Sequence, residues 1–225
     1  MFFDPRYFLF MLPGLLLAAY AAIKTQSTFR RYSRVGAASG MTGAQAARAL
    51  LAAHGLGGIN IQMARGFLSD HYDPSARALR LSPEVYNSPS LAAIGVACHE
   101  AGHALQHADG YAPLALRSQL VPITQFGSQL AFPIIIAGLL FQAPFFVNLG
   151  ILLFAAVVAF TIVTLPVEWN ASARAKRLMV NAGIVSPREA PAAAAVLNAA
   201  FLTYIASTVT AVLQLLYYLS LARRR

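Results

Sequence analysis

Two histidines four residues apart, with a glutamate directly after the first, stand at His99-Glu100-Ala101-Gly102-His103. On a helix, residues i and i+4 share a face, so both imidazoles can reach one tetrahedral Zn²⁺. Glu100 then lies beside the ion, where it can take a proton from a zinc-activated water. That is the chemistry of metal-assisted hydrolysis.

A catalytic zinc needs three protein ligands and one open position. A third histidine ten residues after His99 would complete one known pattern, but that position is Asp109, which reads as a helix terminus. His107 shares the helix face but lies about 12 Å along the axis from His99, at 1.5 Å per residue. It is expected to support the site or to lie at the surface. Among the remaining carboxylates Glu168 is best placed. It is the first charge after a long uncharged run and reads as the start of a helix. His99, His103 and Glu168 around one Zn²⁺ per chain, with Glu100 as general base, form the gluzincin arrangement. Tyr204, His71 and Tyr72 are candidates to steady a tetrahedral oxyanion. Cys98, beside the first histidine, reads as a small buried apolar side chain.

Several elements must bring these residues together. Ser88-Pro89 reads as cap and first turn of a helix that carries His99, Glu100 and His103 and stops near Asp109-Gly110. Thr42 is expected to cap an amphipathic helix ending near His54-Gly55. Ile59 to Met63 alternates apolar and polar residues as a half-buried strand does. Phe67 to Tyr72 and Ala78 to Leu81 flank Asp73-Pro74-Ser75 and read as a hairpin. Glu168 to Asn181 is helical in pattern, with Gly183 as its cap. Ser186-Pro187-Arg188-Glu189 reads as a capping box opening the last helix.

The bulk of the chain has a different solvent. Of its 225 residues 58% are hydrophobic and 11% charged, against roughly 25% charged in an average globular protein. No Asp, Glu, Lys or Arg occurs in the fifty positions from Ser118 to Val167. Two membrane spans fit that run, about Val121 to Phe141 and Phe146 to Leu165, split at Gln142-Ala143-Pro144. They return the chain to the side it left, which puts Glu168 on the same face as the two histidines. Tyr7 to Ile23 and Phe201 to Leu219 are apolar enough to add a first and a last membrane helix. The basic cluster lies behind the first stretch rather than before it, so an uncleaved anchor is expected in spite of the cleavage-like Ala19-Tyr20-Ala21.

The expected fold is therefore a mainly α integral membrane protein. About four membrane-associated helices join a zincin-like α+β catalytic part with a small antiparallel sheet. Its segments are an anchor at 1–23, the catalytic part at 24–117, a transmembrane hairpin at 118–167, a third-ligand helix and capped helix start at 168–200, and a last membrane helix with a basic tail at 201–225. The net charge of +9 does not indicate nucleic acid, because the basic residues flank apolar runs, as membrane proteins place them. The basic loops at 24–34 and 174–188 put the catalytic part in the cytoplasm. Arg223 to Arg225 run against that tendency if the last helix crosses fully.

The stretches Ser69-Asp70-His71-Tyr72-Asp73-Pro74 and Leu79-Arg80-Leu81-Ser82-Pro83-Glu84-Val85-Tyr86, the segment A-C-H-E-A-G-H-A-L-Q-H-A-D-G-Y-A-P-L, and Leu165-Pro166-Val167-Glu168 resemble the YugP-type bacterial membrane zinc metallopeptidases. The likeness covers nearly the whole chain. It implies a zinc-dependent peptidase of the bacterial inner membrane, multi-pass and distantly similar to HtpX-type membrane proteases. His99, His103 and Glu168 carry over as ligands and Glu100 as general base. The family usually has E-F-D-A-S where this chain has Glu168-Trp169-Asn170-Ala171-Ser172, so Asn170 keeps a hydrogen-bonding side chain without the charge. The expected function is endopeptidase action on a peptide or membrane-protein substrate at the bilayer. A catalytically inactive zinc-binding membrane scaffold is the alternative.

Overall fold

The computed structural model describes residues 5–66 and 69–222. Phe67 and Leu68 of the expected hairpin, and the arginines at 223–225, lie outside them. The described chain divides into two compact units, and three long helices contribute residues to both.

One unit takes in the described parts of Met1–Ala22, Ala112–Pro166 and Thr203–Arg225. Four helices are long and apolar enough to cross a membrane, α1 (Pro5–Tyr32), α5 (Ala112–Leu140), α6 (Pro144–Asn181) and α7 (Ala190–Ala222). This is a mainly α membrane protein. Phe126, Phe132, Phe141, Phe145 and Leu152 are exposed, an arrangement that water would penalise and hydrocarbon does not. Close helix approaches inside the unit fall at small residues, alongside a packed cluster of Ile135, Val147, Ile151, Tyr217 and Tyr218. At Gly127 an added Cβ would come within 2.9 Å of the Leu153 carbonyl. The break between α5 and α6 falls where the sequence suggests. Gln142 takes a left-handed φ of 52°, and Pro144 opens α6. Helix α5 starts well before the expected span and ends where expected, and α6 overruns its expected span at both ends. Pro166 leaves α6 unbroken, and no other residue there stops it.

The second unit comprises Ile23–Tyr111 and Val167–Leu202. α2 (Gly43–Ala52) opens on the expected Thr42 cap, whose Oγ accepts from the Gln45 N–H while the Gln45 side chain accepts from the Thr42 N–H. Its face of Ala46, Ala47, Leu50 and Leu51 enters the core with Leu79, Leu81, Ile94, Cys98 and Met179. The three strands are β1 (Asn60–Met63), β2 (His71–Asp73) and β3 (Ala78–Leu81), in the spatial order β1-β3-β2.

β2 and β3 form the expected antiparallel hairpin, with the Asp73 carboxylate accepting from the Ser75 and Ala76 N–H groups at its turn. The sheet as a whole is mixed rather than antiparallel, because β1 pairs with β3 in parallel. The physical reason is chain direction, which reverses from β1 to β2 and again from β2 to β3, so β1 and β3 run the same way. The well-buried β3 takes the centre, with β1 on its free side. β3 is followed by the short helix α3 (Pro83–Asn87).

Three expectations about helix ends are corrected. The helix that carries the histidine pair, α4 (Leu91–Ala108), is capped by Ser90 and not by Ser88, since it is the Ser90 Oγ that accepts from the Ala93 N–H. Ser88 lies in extended backbone, donating to Ser90 Oγ. The end at Asp109, with Gly110 at φ +63°, is as expected. Glu168 does not start a helix, because α6 runs through it without a break to Asn181. At Ser186-Pro187-Arg188-Glu189 half of the capping box forms. The Glu189 carboxylate accepts from the Ser186 N–H, but the Ser186 hydroxyl donates to the same carboxylate and helix α7 begins only at Ala190.

Candidate metal centre

The candidate centre lies wholly in the second unit. His99 and His103 stand one turn apart on α4, their ring centroids 4.7 Å apart. Helix α4 approaches α6 closely because position 102 is glycine. A Cβ there would come within 2.7 Å of the Ala171 carbonyl oxygen. This close approach brings Glu168 of α6 to the histidine pair. Glu168 Oε2 lies 3.1 Å from His99 Nε2 and 3.5 Å from His103 Nε2.

One atom from each of these three side chains falls within 4.8 Å of the others. Zinc bonds of about 2.0–2.2 Å at tetrahedral angles give ligand-to-ligand edges of about 3.3–3.5 Å. The two carboxylate–imidazole contacts lie close to that value, and the donor types suit Zn²⁺. Glu168 is 1% exposed, and a buried carboxylate is costly without compensation. The two imidazoles supply it here.

Electrostatics at His103 point the same way. Burial alone would push its pKa down, but the hydrogen bond to Glu168 and the charges of Glu100 and Glu168 more than offset that, and the value is raised. The surrounding carboxylates thus favour a proton on His103, and a bound ion would compete with it. Glu100 is buried on α4, next in sequence to His99, and its charge acts on His103.

The outward-facing ring nitrogens are also held. His99 Nδ1 lies 3.1 Å from Ser172 Oγ. His103 Nδ1 lies 2.9 Å from Oε1 of the fully buried Gln106. Gln106 Nε2 donates to the Val167 carbonyl at 2.8 Å and to Asn170 Oδ1 at 3.0 Å. Asn170 Oδ1 also accepts from Arg174 Nε at 2.8 Å, and Arg174 pairs with Asp109 at the end of α4. Sequence reasoning missed Gln106, Ser172 and Arg174. The available signal was helical spacing, three residues beyond His103 and four beyond Glu168 and Asn170.

The other sequence candidates fall in different places. Tyr72, on β2, hydrogen-bonds through its hydroxyl to Nδ1 of the exposed His107 at 2.9 Å. His71 is exposed, with Nδ1 2.8 Å from the Ser69 carbonyl. Tyr204 belongs to the other compact unit. Asn170 is engaged as described, through its neutral amide oxygen. Cys98 is fully buried, and burial pushes its thiol up to about 12, so it is an inert apolar side chain.

A mainly α membrane protein with two histidines and a glutamate converging on one point is the general class. Residues 7–223 match the family described as "putative neutral zinc metallopeptidase", and the chain belongs to that family. Among curated proteins it is similar to the "putative membrane protease YugP" of Bacillus subtilis (strain 168), with 43% identity over 212 residues, 94% of each chain. No solved structure matches it.

Proposed function

We propose that this chain is a zinc-dependent endopeptidase of the bacterial cytoplasmic membrane, multi-pass, with its catalytic part on the cytoplasmic side. The observation that carries the reading is the convergence of His99, His103 and Glu168, with ligand atoms within 4.8 Å. Family membership and the name of the Bacillus relative support it. The sidedness rests on Lys24, Arg30, Arg31 and Arg34, which follow the apolar part of α1.

His99, His103 and Glu168 would hold one Zn²⁺ in a gluzincin-type His₂Glu set. When bound, the ion supplies Lewis acidity to the scissile carbonyl and acidifies water. Glu100 takes the proton of the attacking water and delivers it to the departing amine nitrogen. Strand β2 is at the sheet's edge, and an extended peptide can pair with its backbone.

The test is Glu100→Gln in the full-length protein in detergent or bilayer. Zinc content should stay at the wild-type level while peptide cleavage falls by at least about 100-fold, the lower range for a lost general base. Cleavage undiminished in the variant would instead favour a zinc-holding membrane scaffold, the activity then coming from elsewhere.

A further inference from the structure

The hydrogen bonds beyond the ligand atoms form a chain of fixed direction, from His103 through Gln106, Asn170 and Arg174 to Asp109. Amide orientations are ordinarily ambiguous, because oxygen and nitrogen look alike. Here two groups of invariant polarity remove the ambiguity. The Val167 carbonyl can only accept, so the group of Gln106 that lies 2.8 Å from it must be the NH₂. The Arg174 guanidinium can only donate, so Asn170 must present its oxygen, 2.8 Å away. That oxygen also accepts the second N–H of Gln106. With both N–H groups of Gln106 committed, the atom facing His103 is Oε1, an acceptor. His103 Nδ1 must then carry a proton, which leaves Nε2, the nitrogen that faces Glu168 Oε2, as the one whose lone pair a metal ion would take.

We infer that Gln106 is a positioning residue that fixes the tautomer and ring orientation of His103 for metal binding, and that Asn170 and Arg174 hold Gln106 in the one orientation able to do so. This rests on the His₂Glu reading of the centre. Gln106 acts through His103 and touches neither substrate nor metal. Its fully buried amide has three partners and no freedom to rotate, since turning it over would set its oxygen against two acceptors and its NH₂ against the His103 Nδ1–H. Asn170 acts only as an acceptor toward Gln106 and Arg174, so a carboxylate at that position would serve equally well and an apolar side chain would not.

The test is zinc affinity of the metal-stripped full-length protein, measured by competition with a chromophoric chelator, with the Co²⁺ absorption spectrum reporting ligand geometry. Gln106→Met keeps length and volume but removes the amide. Its zinc affinity should fall about 10- to 100-fold, the usual cost of losing a partner of a ligating histidine, with an altered Co²⁺ spectrum. Asn170→Leu should move affinity in the same direction, and Asn170→Asp should retain wild-type affinity and spectrum. Unchanged affinity in Gln106→Met, or Asn170→Asp falling as far as Asn170→Leu, would overturn the inference while leaving the His₂Glu centre intact. Should Gln106→Met fail to fold, the contrast between the two Asn170 variants decides alone. A wild-type protein that takes up no zinc would remove the centre itself, and this inference with it.

Discussion

At the scale of single residues, the centre contrasts a charged inner set with neutral support. The outward nitrogens of His99 and His103 meet a hydroxyl and an amide, Ser172 and Gln106, rather than carboxylates. Carboxylate partners raise the basicity of a ligating imidazole, so the negative charge at the ligands here comes from Glu168. Gly102 is the residue on which the approach of α4 to α6 turns. Gly102→Ala adds a methyl group 2.7 Å from the Ala171 carbonyl oxygen, and a backbone atom cannot swing aside as a side chain can. The variant gains in helix propensity but should lose about 1–3 kcal/mol by overpacking. It should also bind zinc more weakly because α4 is pushed from Glu168. Chemical denaturation and zinc titration of the variant check both, and wild-type values in each would show that the helices have room to spare.

At the scale of elements, what was legible in the sequence had local causes. The Thr42 cap, the Asp73 turn and the Gly110 and Gly183 helix ends depend on a few adjacent residues, and all were readable. Ser88 and Ser90 are both credible caps. Only the pairing of residues 36 and 37 with 89 and 90 sets Ser88 in extended backbone and leaves the cap to Ser90. The parallel β1–β3 pairing depends on the register between separated strands, which alternation within one strand does not encode. The ligand candidates were visible because their residue types are scarce in so apolar a chain. Gln106 and Ser172 carried only their helical spacing from His103 and Glu168, a weak signal for an amide or hydroxyl until its partners are known.

Glu189 offers a pH test at the same scale. Hydrogen bonds from the Ser186 hydroxyl, the Ser186 N–H and the Ala38 N–H hold its carboxyl below the usual range and tie residue 38 to the start of α7. A depressed folded pKa means stability fully present above the ordinary value of 4.5 and lost as pH falls through the folded one. Glu189→Gln should cost about 1 kcal/mol near neutral pH, as for a lost cap. The deficit should shrink toward zero as the wild type is acidified. Denaturation midpoints of both proteins at several pH values check this, and a deficit constant with pH would rule out the carboxylate charge as its source.

At the scale of the whole molecule, the two segments that build the candidate centre, Ile23–Tyr111 and Val167–Leu202, are separated in sequence by a stretch belonging to the apolar unit. Glu168 is sixty-five positions beyond His103, yet an unbroken α6 carries it from the uncharged run into the second unit. Sequence order therefore hides the centre, and the apolar hairpin between the two segments reveals it. An ion held by α4 and α6 together would link those segments directly, and the zinc reading stands or falls on Glu168. The most direct measurement is the zinc content and affinity of the purified full-length protein beside Glu168→Ala. One Zn²⁺ per wild-type chain is expected, with at least about a 100-fold loss of affinity in the variant, since losing even a supporting partner costs about 10- to 100-fold. Full occupancy at wild-type affinity in Glu168→Ala would contradict the His₂Glu reading.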